Sequence, residues 1–166
     1  PPTIGHMSEH LTEPDTDNLR RALAVSVAAV EHGNHPFGAI LVTADGRILE
    51  AENTVITDRD PTGHAETNLV RIAARELDDA TLAASTLFTS CEPCAMCCGA
   101  IFWAGIGRVV YALSGTGLIE ITTAVGDAPT LDHPSRLVFA DGNHPVDVAG
   151  PHLEDEAEVP HAGFWG

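Results

Sequence analysis

The four cysteines of this 166-residue chain lie within eight positions, in the stretch SCEPCAMCCG at residues 90–99. They are Cys91, Cys94, Cys97 and Cys98. Disulfides are a poor use of them, because the chain has no second, distant pair of cysteines with which to close a loop. A structural zinc site made of all four is also disfavoured, since such sites take two separated pairs of ligands. Cys97 and Cys98 would also point about 100° apart on a helix.

A third arrangement uses two of these thiols and one histidine from elsewhere. Cys94 and Cys97 are spaced i, i+3, so on a helix both side chains face the same way. Pro93 is favoured in the first turn of a helix, which places the two thiols at the positive end of the helix dipole. That position lowers the pKa of a thiol and favours the thiolate that a metal ion binds.

The third ligand must come from the nine histidines of the chain. His32 and His35 flank the turn after the first helical pattern and can line a pocket, whereas most of the others lie in polar segments. His64 opens a helical pattern directly after the loop DPTG, with Glu66 two residues later. Two thiolates, a neutral imidazole and Zn²⁺ sum to zero charge and leave a fourth position for water, which is typical of catalytic zinc. Glu66 is placed to take a proton from that water.

The elements that position these residues follow from hydrophobic periodicity. Strand patterns occupy five segments, at 37–43, 48–55, 85–90, 108–113 and 145–150. Helical patterns occupy four, at 17–32, 64–79, 92–103 and 151–160. We expect Thr16 or Asp17 to cap the first helix and Pro160 to end the last one. Residues 114–144 give a weak signal, which predicts one short helix and a long loop.

This order of elements predicts a single α/β domain with helices on both faces of a sheet, and the opening hairpin makes that sheet mixed. We assign residues 17–166 to this domain, ending in an acidic helix and an aromatic tail. Residues 1–16 are predicted to be an N-terminal arm, whose first residues, PPTIGHM, we interpret as a cloning remnant.

The charge of the chain narrows the class of substrate. The net charge is −16, and its eight basic residues are all arginine. Such a field repels polyanions and anionic membranes, so we expect a small neutral substrate and no nucleic acid partner. No apolar run reaches the ~20 residues that cross a bilayer, and no secretory signal is visible. We therefore expect a cytoplasmic protein whose thiols stay reduced.

The motifs HAE at 64–66 and PCAMC at 93–97 resemble the paired signature of the zinc-dependent cytidine-deaminase-like superfamily. The segments HPFGAILV, DPTGHAE, TSCEPCAMCCGAIFWAG and GRVVYAL are similar to the branch that holds guanine, cytosine and tRNA adenosine deaminases. The resemblance covers residues 17–113. It implies a three-layer α/β/α sandwich around a five-stranded mixed sheet, and a homodimer.

The resemblance also implies roles for particular residues. His64, Cys94 and Cys97 would hold Zn²⁺, and Glu66 would shuttle a proton while activated water attacks the amino-bearing ring carbon and ammonia leaves. Residues that the resemblance places around the substrate are Asn53, Ala65 through its backbone, and the pocket walls Phe37 and Trp103. Cys91 and Cys98 match no ligand position, and we interpret them as small buried apolar residues.

The identity of the base is less sharply indicated. SCEPC and AIFWA are most similar to guanine deaminases, but the acidic residue common in that branch after the strand at 108–113 is absent before Glu120. The tail residues Phe164 and Trp165 either dock on the core or a second subunit, or close over the pocket. We expect a free nucleobase or nucleoside of guanine or cytosine type as substrate. The alternatives are a tRNA or RNA adenosine deaminase, or an inactive zinc-stabilised binding protein.

Overall fold

The computed structural model describes residues 10–126 and 128–166, so the proposed cloning remnant lies outside the described residues. Its sheet has five strands in the order β2-β1-β3-β4-β5. The strands are β1 (Gly38–Val42), β2 (Ile48–Glu52), β3 (Thr86–Cys91), β4 (Arg108–Leu113) and β5 (Asp147–Ala149). β1 runs antiparallel to β2 and β3, while β3, β4 and β5 are parallel to one another. The predicted five-stranded mixed sheet is confirmed.

Helices cover both faces of this sheet. They are α1 (Glu13–Glu31), α2 (Ala65–Glu76), α3 (Asp79–Ala83), α4 (Ala95–Trp103), α5 (Gly115–Thr123), α6 (Ser135–Ala140) and α7 (Glu154–Glu158), followed by a 3₁₀ turn at Val159–His161. Apolar side chains of α1, α5 and α7 pack on one face, and those of α2, α3, α4 and α6 pack on the other. The predicted three-layer α/β/α sandwich is therefore confirmed.

Alternation along the strands divides the core between the two faces. Ile40 of β1 and Phe88 of β3 pack with α1, whereas their neighbours Leu41 and Leu87 pack with α2. This is the period of two that a strand imposes on its side chains. Gly38 lets α1 approach the sheet closely, because a Cβ atom there would lie 2.4 Å from the backbone nitrogen of Ser26.

The first helix begins earlier than its apolar stripe predicted. Thr12 is the N-cap, and Thr12 and Asp15 form a capping box at the start of α1. The predicted cap at Thr16 or Asp17 is wrong, and residues 13–16 belong to the helix rather than to an arm. The first turn is polar, so it carries no apolar periodicity. It is held instead by the capping box and by a bidentate ion pair between Asp15 and Arg108, at 2.9 and 3.0 Å.

Other helix boundaries also differ from those predicted from the sequence. The region 114–144 contains two helices, α5 and α6, rather than one, and α3 was not predicted. The helix predicted from residue 92 begins at Ala95, and the chain continues past Pro160 in a 3₁₀ turn. Among the residues that the structure describes, no helix is long and apolar enough to cross a membrane.

Candidate metal centre and active site

Two helix starts meet at the carboxyl end of the sheet's central strand, β3. His64 is the N-cap residue of α2, and Cys94 is the N-cap residue of α4. Both have extended backbone conformations, and neither side chain caps its own helix. Cys97 follows in the first turn of α4, and α2 packs against α4. Three potential ligands are therefore brought together by two packed helices.

The separations of the three ligand atoms fit one tetrahedral zinc ion. The two sulfurs of Cys94 and Cys97 lie 3.7 Å apart. The Nδ1 atom of His64 lies 3.7 Å from the Cys94 sulfur and 3.5 Å from the Cys97 sulfur. Zinc bonds of about 2.3 Å to sulfur and about 2.0–2.1 Å to nitrogen, set at tetrahedral angles, require about 3.8 Å between sulfurs and about 3.5–3.6 Å from sulfur to nitrogen. The residues present therefore fit Zn²⁺.

The other two cysteines stand outside this cluster. Cys91 and Cys98 are both buried, and the Cys98 thiol donates to the carbonyl oxygen of Pro93 at 3.3 Å. Within the described residues, the group that can hold a metal ion is His64, Cys94 and Cys97. The division of the four cysteines into a ligand pair and two buried apolar residues agrees with the sequence analysis.

The two ligand thiols differ in acidity. A hydrogen bond from the Cys97 thiol, with a smaller one involving His64, lowers the pKa of Cys94 to about 4 despite partial burial. The pKa of Cys97 is raised, because its proton is held by the Cys94 sulfur and its site is buried. The thiolate is therefore favoured at Cys94 over Cys97, and binding of a metal ion requires both thiols to lose their protons.

Glu66 lies behind the ligand cluster, in the first turn of α2, and is only 5% exposed. Its Oε1 atom accepts a hydrogen bond from the hydroxyl of Thr89 at 2.6 Å, and its Oε2 atom lies 3.6 Å from the Cys97 sulfur. Burial raises the pKa of Glu66, and the Thr89 hydrogen bond opposes part of that rise. A carboxyl group whose pKa is raised in this way accepts a proton more readily than an exposed one, which suits general acid–base catalysis.

A cavity of about 490 Å³ opens over the cluster. His64 and Cys94 form part of its floor, and His35, Phe37 and Trp165 form one side. A second wall consists of residues of α5 and the segment 128–134. Phe37, predicted as a pocket wall, lines this cavity, and so does Trp165, whose position over its own or a second subunit's pocket the sequence left open.

The tail is held over the cavity by aromatic contacts. The indole N–H of Trp165 donates to Nδ1 of His161 at 3.1 Å, and the Trp165 ring lies 5.3 Å from that of His35 and 6.2 Å from that of Phe37. Phe164 packs edge-on against His35 at 5.8 Å and does not line the cavity. Of the two tail aromatics, Trp165 is therefore the one that can touch a bound molecule.

Three other residues predicted to meet the substrate are placed differently. Asn53 is buried directly after β2, where its Oδ1 atom accepts the backbone N–H of Val55, and it does not line the cavity. Ala65 is buried in the first turn of α2. Trp103 is 86% exposed, so its prediction as a pocket wall of its own chain is wrong. It lies two residues, or about 200°, beyond the buried Ile101 and therefore faces solvent.

Some residues of the site were not predicted from the sequence. Thr89 orients Glu66, His161 orients Trp165, and Glu92 lines the cavity beside Cys94. The alternation of β3 gives one usable signal, because Thr89 shares a face with Leu87, and a buried hydroxyl on that face needs an acceptor. No local pattern marks the other two, since their partners are brought to them by the tertiary fold.

Comparison with known proteins agrees with this geometry. Residues 12–113 match the family described as the cytidine and deoxycytidylate deaminase zinc-binding region. A probable cytosine deaminase of Schizosaccharomyces pombe is 44% identical over 95% of this chain and 96% of its own length. A tRNA-specific adenosine deaminase of Haemophilus influenzae is 35% identical over 93% of this chain and 84% of its own length.

Among solved structures, the guanine deaminase of Nitrosomonas europaea superposes with a TM-score of 0.72 and 26% identity, over 92% of this chain and 84% of that one. The matched family region contains all three ligands and Glu66. The chain therefore belongs to the cytidine and deoxycytidylate deaminase zinc-binding family and is a zinc-dependent hydrolytic deaminase.

Proposed function

We propose that this deaminase acts on a free nucleobase, with cytosine as the first candidate and guanine as the second, and releases ammonia. The observation that carries the proposal is that two residues of the metal-binding cluster, His64 and Cys94, line a cavity that Trp165 also lines. A cavity of this size and aromatic character suits a flat heterocycle. The extent of the similarity to the yeast cytosine deaminase favours cytosine.

The reaction replaces an exocyclic amine by an oxygen from water. The chemistry that Zn²⁺ supplies when bound is Lewis-acid activation of water near neutral pH. Thr89 occupies Oε1 of Glu66, so Oε2, on the side of the ligand cluster, is the oxygen left to carry a proton. Glu66 would accept a proton from water at Oε2, donate it to the ring nitrogen and then assist departure of the amine as ammonia. Such proton transfer contributes about 10²–10⁴-fold to a rate.

The side of the cavity that His35, Phe37 and Trp165 form would hold the base by its faces. The Trp165 ring on that side lies 5.3 Å from the ring of His35 and 6.2 Å from that of Phe37. A heterocycle can pack against them without any charged partner. The pKa of His35 is lowered by burial and, to a smaller extent, by His64, so its ring is neutral at pH 7. A neutral aromatic surface fits an uncharged base.

The decisive experiment is an ammonia-release screen of the zinc-loaded protein over cytosine, guanine, adenine, their nucleosides and s-triazines. We expect the highest kcat/KM with cytosine. Glu66→Ala should abolish release while zinc stays near one ion per chain, and Glu31→Ala, at an exposed site on α1, is the matched control. Full activity of Glu66→Ala, or preference for a nucleoside over every free base, would contradict the proposal.

A tRNA adenosine deaminase is the second candidate, because a relative of that function matches most of the chain. The distribution of charged side chains argues against tRNA as the substrate. None of the described residues that line the cavity is an arginine. Four of the eight arginines pair with carboxylates: Arg20, Arg21, Arg47 and Arg108. A tRNA needs cationic contacts to its phosphates. A tRNA anticodon stem-loop belongs in the same screen, and its deamination in preference to free bases would favour this candidate.

We also propose a homodimer and a cytoplasmic location. The large apolar side chain of Trp103 is 86% exposed in the single chain, and a subunit contact would remove it from water. The free thiols of the ligand pair suit a reducing compartment. Sedimentation equilibrium tests the first proposal, with Trp103→Ser expected to weaken association and a monomeric wild type contradicting it. Cell fractionation tests the second.

A further inference from the structure

The carboxylate of Glu92 joins three parts of the molecule. Its Oε2 atom accepts the backbone N–H of Gly115 at 3.0 Å, at the start of α5. Its Oε1 atom accepts both the backbone N–H and the hydroxyl of Ser135, at 2.9 and 2.7 Å, at the start of α6. These partners lie 23 and 43 residues away along the chain. One side chain therefore fixes the first residues of two helices.

The backbone around Glu92 is equally fixed on the metal side. Its N–H donates to the carbonyl oxygen of Leu113 at 2.8 Å, which extends the pairing of β3 with β4 by one residue. Cys94, a ligand of the metal cluster, follows two residues later. The carboxylate thus stands between the metal-binding segment and the helices α5 and α6.

Those two helices lead to the outer wall of the cavity. Residues of α5 contribute to the wall, and the segment 128–134 ends directly before Ser135. Glu92 therefore connects this wall to the segment that carries the metal ligand Cys94. Gly115 allows the close approach, since a Cβ atom there would lie 3.3 Å from Oε2 of Glu92.

Hydrogen bonds to an ionised carboxylate are stronger than those between neutral groups. Among the described residues, no basic side chain forms an ion pair with Glu92. Three donors from α5 and α6 compensate its charge, and the carboxylate is the acceptor that satisfies these donors. Without the carboxylate, three partly buried donors would lose their acceptor. They could form hydrogen bonds to water only if the wall moved.

We propose that Glu92 is a positioning residue of this active site, which holds the 128–134 wall at a fixed distance from the metal ligands and thereby sets the KM for the base. The inference rests on the proposed function, because it takes the cavity to be the substrate site. Glu92 acts through the wall and moves no proton in the reaction. Its loss should therefore weaken substrate binding more than it slows the chemical step.

Glu154 provides a matched control. Its carboxylate also binds the start of α5, accepting the backbone N–H and the hydroxyl of Ser114 at 3.3 and 3.0 Å. It does not line the cavity, and its hydrogen bonds go to the start of α5 rather than to α6. Loss of Glu154 should cost stability without moving the 128–134 segment, so the pair of variants separates a purely structural role from positioning of that segment.

The kinetic test compares wild type, Glu92→Ala, Glu92→Gln and Glu154→Ala on the best base. We expect Glu92→Ala to raise KM about tenfold, the effect of losing a hydrogen bond to a charged group, with kcat within about threefold and zinc near one ion per chain. Glu92→Gln keeps an acceptor for Ser135 and should show a smaller rise. An unchanged KM in Glu92→Ala, an equal rise in Glu154→Ala, or loss of zinc would overturn the proposal.

Hydrogen exchange supplies a measurement that needs no substrate. In zinc-loaded Glu92→Ala, the amides of Gly115 and Ser135 and those within 128–134 should exchange about tenfold faster. In Glu154→Ala, the amide of Ser135 should keep its wild-type rate. If no base is turned over, the proposed function fails, while exchange still decides whether Glu92 holds the wall. Should Glu92→Ala fail to fold, Ser135→Ala is used instead, and normal exchange across 128–134 then overturns the proposal.

Discussion

The imidazole of His161 ties the C-terminal tail to the core, and its replacement by asparagine makes a sharp test of the structure. The ring is 2% exposed. Its Nδ1 atom accepts the indole N–H of Trp165 at 3.1 Å, so the neutral ring carries its proton on Nε2, which has no hydrogen-bond partner among the described residues. Burial lowers the pKa of His161 to about 4. In His161→Asn the side-chain oxygen can replace Nδ1 as acceptor, and nothing titrates.

The size of the effect follows from proton linkage. An unfolded histidine has a pKa of about 6.5, whereas His161 in the folded chain has one of about 4. Between these values the unfolded chain binds a proton that the folded chain does not, so stability falls as pH falls. Each pH unit in this window is worth about 1.36 kcal/mol, which gives a total loss of about 3 kcal/mol by pH 4. Below that pH both states are protonated and the loss stops growing.

The assay is urea unfolding of wild type and His161→Asn at pH 7.5 and pH 4.5. All other titrating groups, including the metal ligands, are common to both proteins, so the difference between their free energies of unfolding isolates His161. We expect wild type to lose about 2–3 kcal/mol more than the variant over this interval. If the tail detaches before the whole chain unfolds, the same proton uptake appears as a rise of KM at acidic pH in wild type alone. Equal pH dependence of both proteins in stability and in KM would refute the reasoning.

Three further predictions concern single contacts. Thr89→Val removes the hydroxyl that orients Glu66 and should lower kcat about tenfold with zinc retained, whereas Thr89→Ser should keep most activity; wild-type kcat in the valine variant would contradict this. Asp15→Asn should cost about 1–3 kcal/mol in urea unfolding at pH 7, because it breaks the bidentate pair with Arg108. That pair holds the pKa of Asp15 below its usual value, so its contribution is present at neutral pH and is lost as pH falls through the folded pKa. Truncation after Val159 removes Trp165 and should raise KM; unchanged turnover and KM would exclude the tail as a wall.

The metal-binding half of the site could be predicted because its geometry is local. The i, i+3 spacing of Cys94 and Cys97 fixes two ligands on one helix face whatever the rest of the chain does. Glu66 follows His64 by only two residues, and both stand at the start of α2. That the two helix starts meet is a tertiary fact, which ligand chemistry and then the family resemblance indicated and which periodicity did not.

Two predictions from the sequence were wrong because hydrophobic periodicity reports only the burial of apolar residues. The first turn of α1 is polar, so the apolar stripe begins at Leu19 although the helix begins at Glu13. Its stability comes from a capping box and from a pair between Asp15 and Arg108, 93 residues apart. Trp103 shows the converse, because an apolar residue beside a site motif was taken for a wall although helix geometry turns it to solvent.

The outer wall of the cavity could not be predicted for a deeper reason. Its residues, 128–134, have little apolar periodicity, and the carboxylate that we propose to hold them bonds Ser135, 43 residues along the chain. Glu92 is therefore next to the metal-binding motif in the sequence, and its side chain contacts the helices that lead to the wall. The sequence of the 128–134 wall can therefore vary while the metal ligands, Glu66 and Glu92 stay the same. Relatives that act on different amines can then share one metal centre, which is why the motifs here identify the chemistry more sharply than the base.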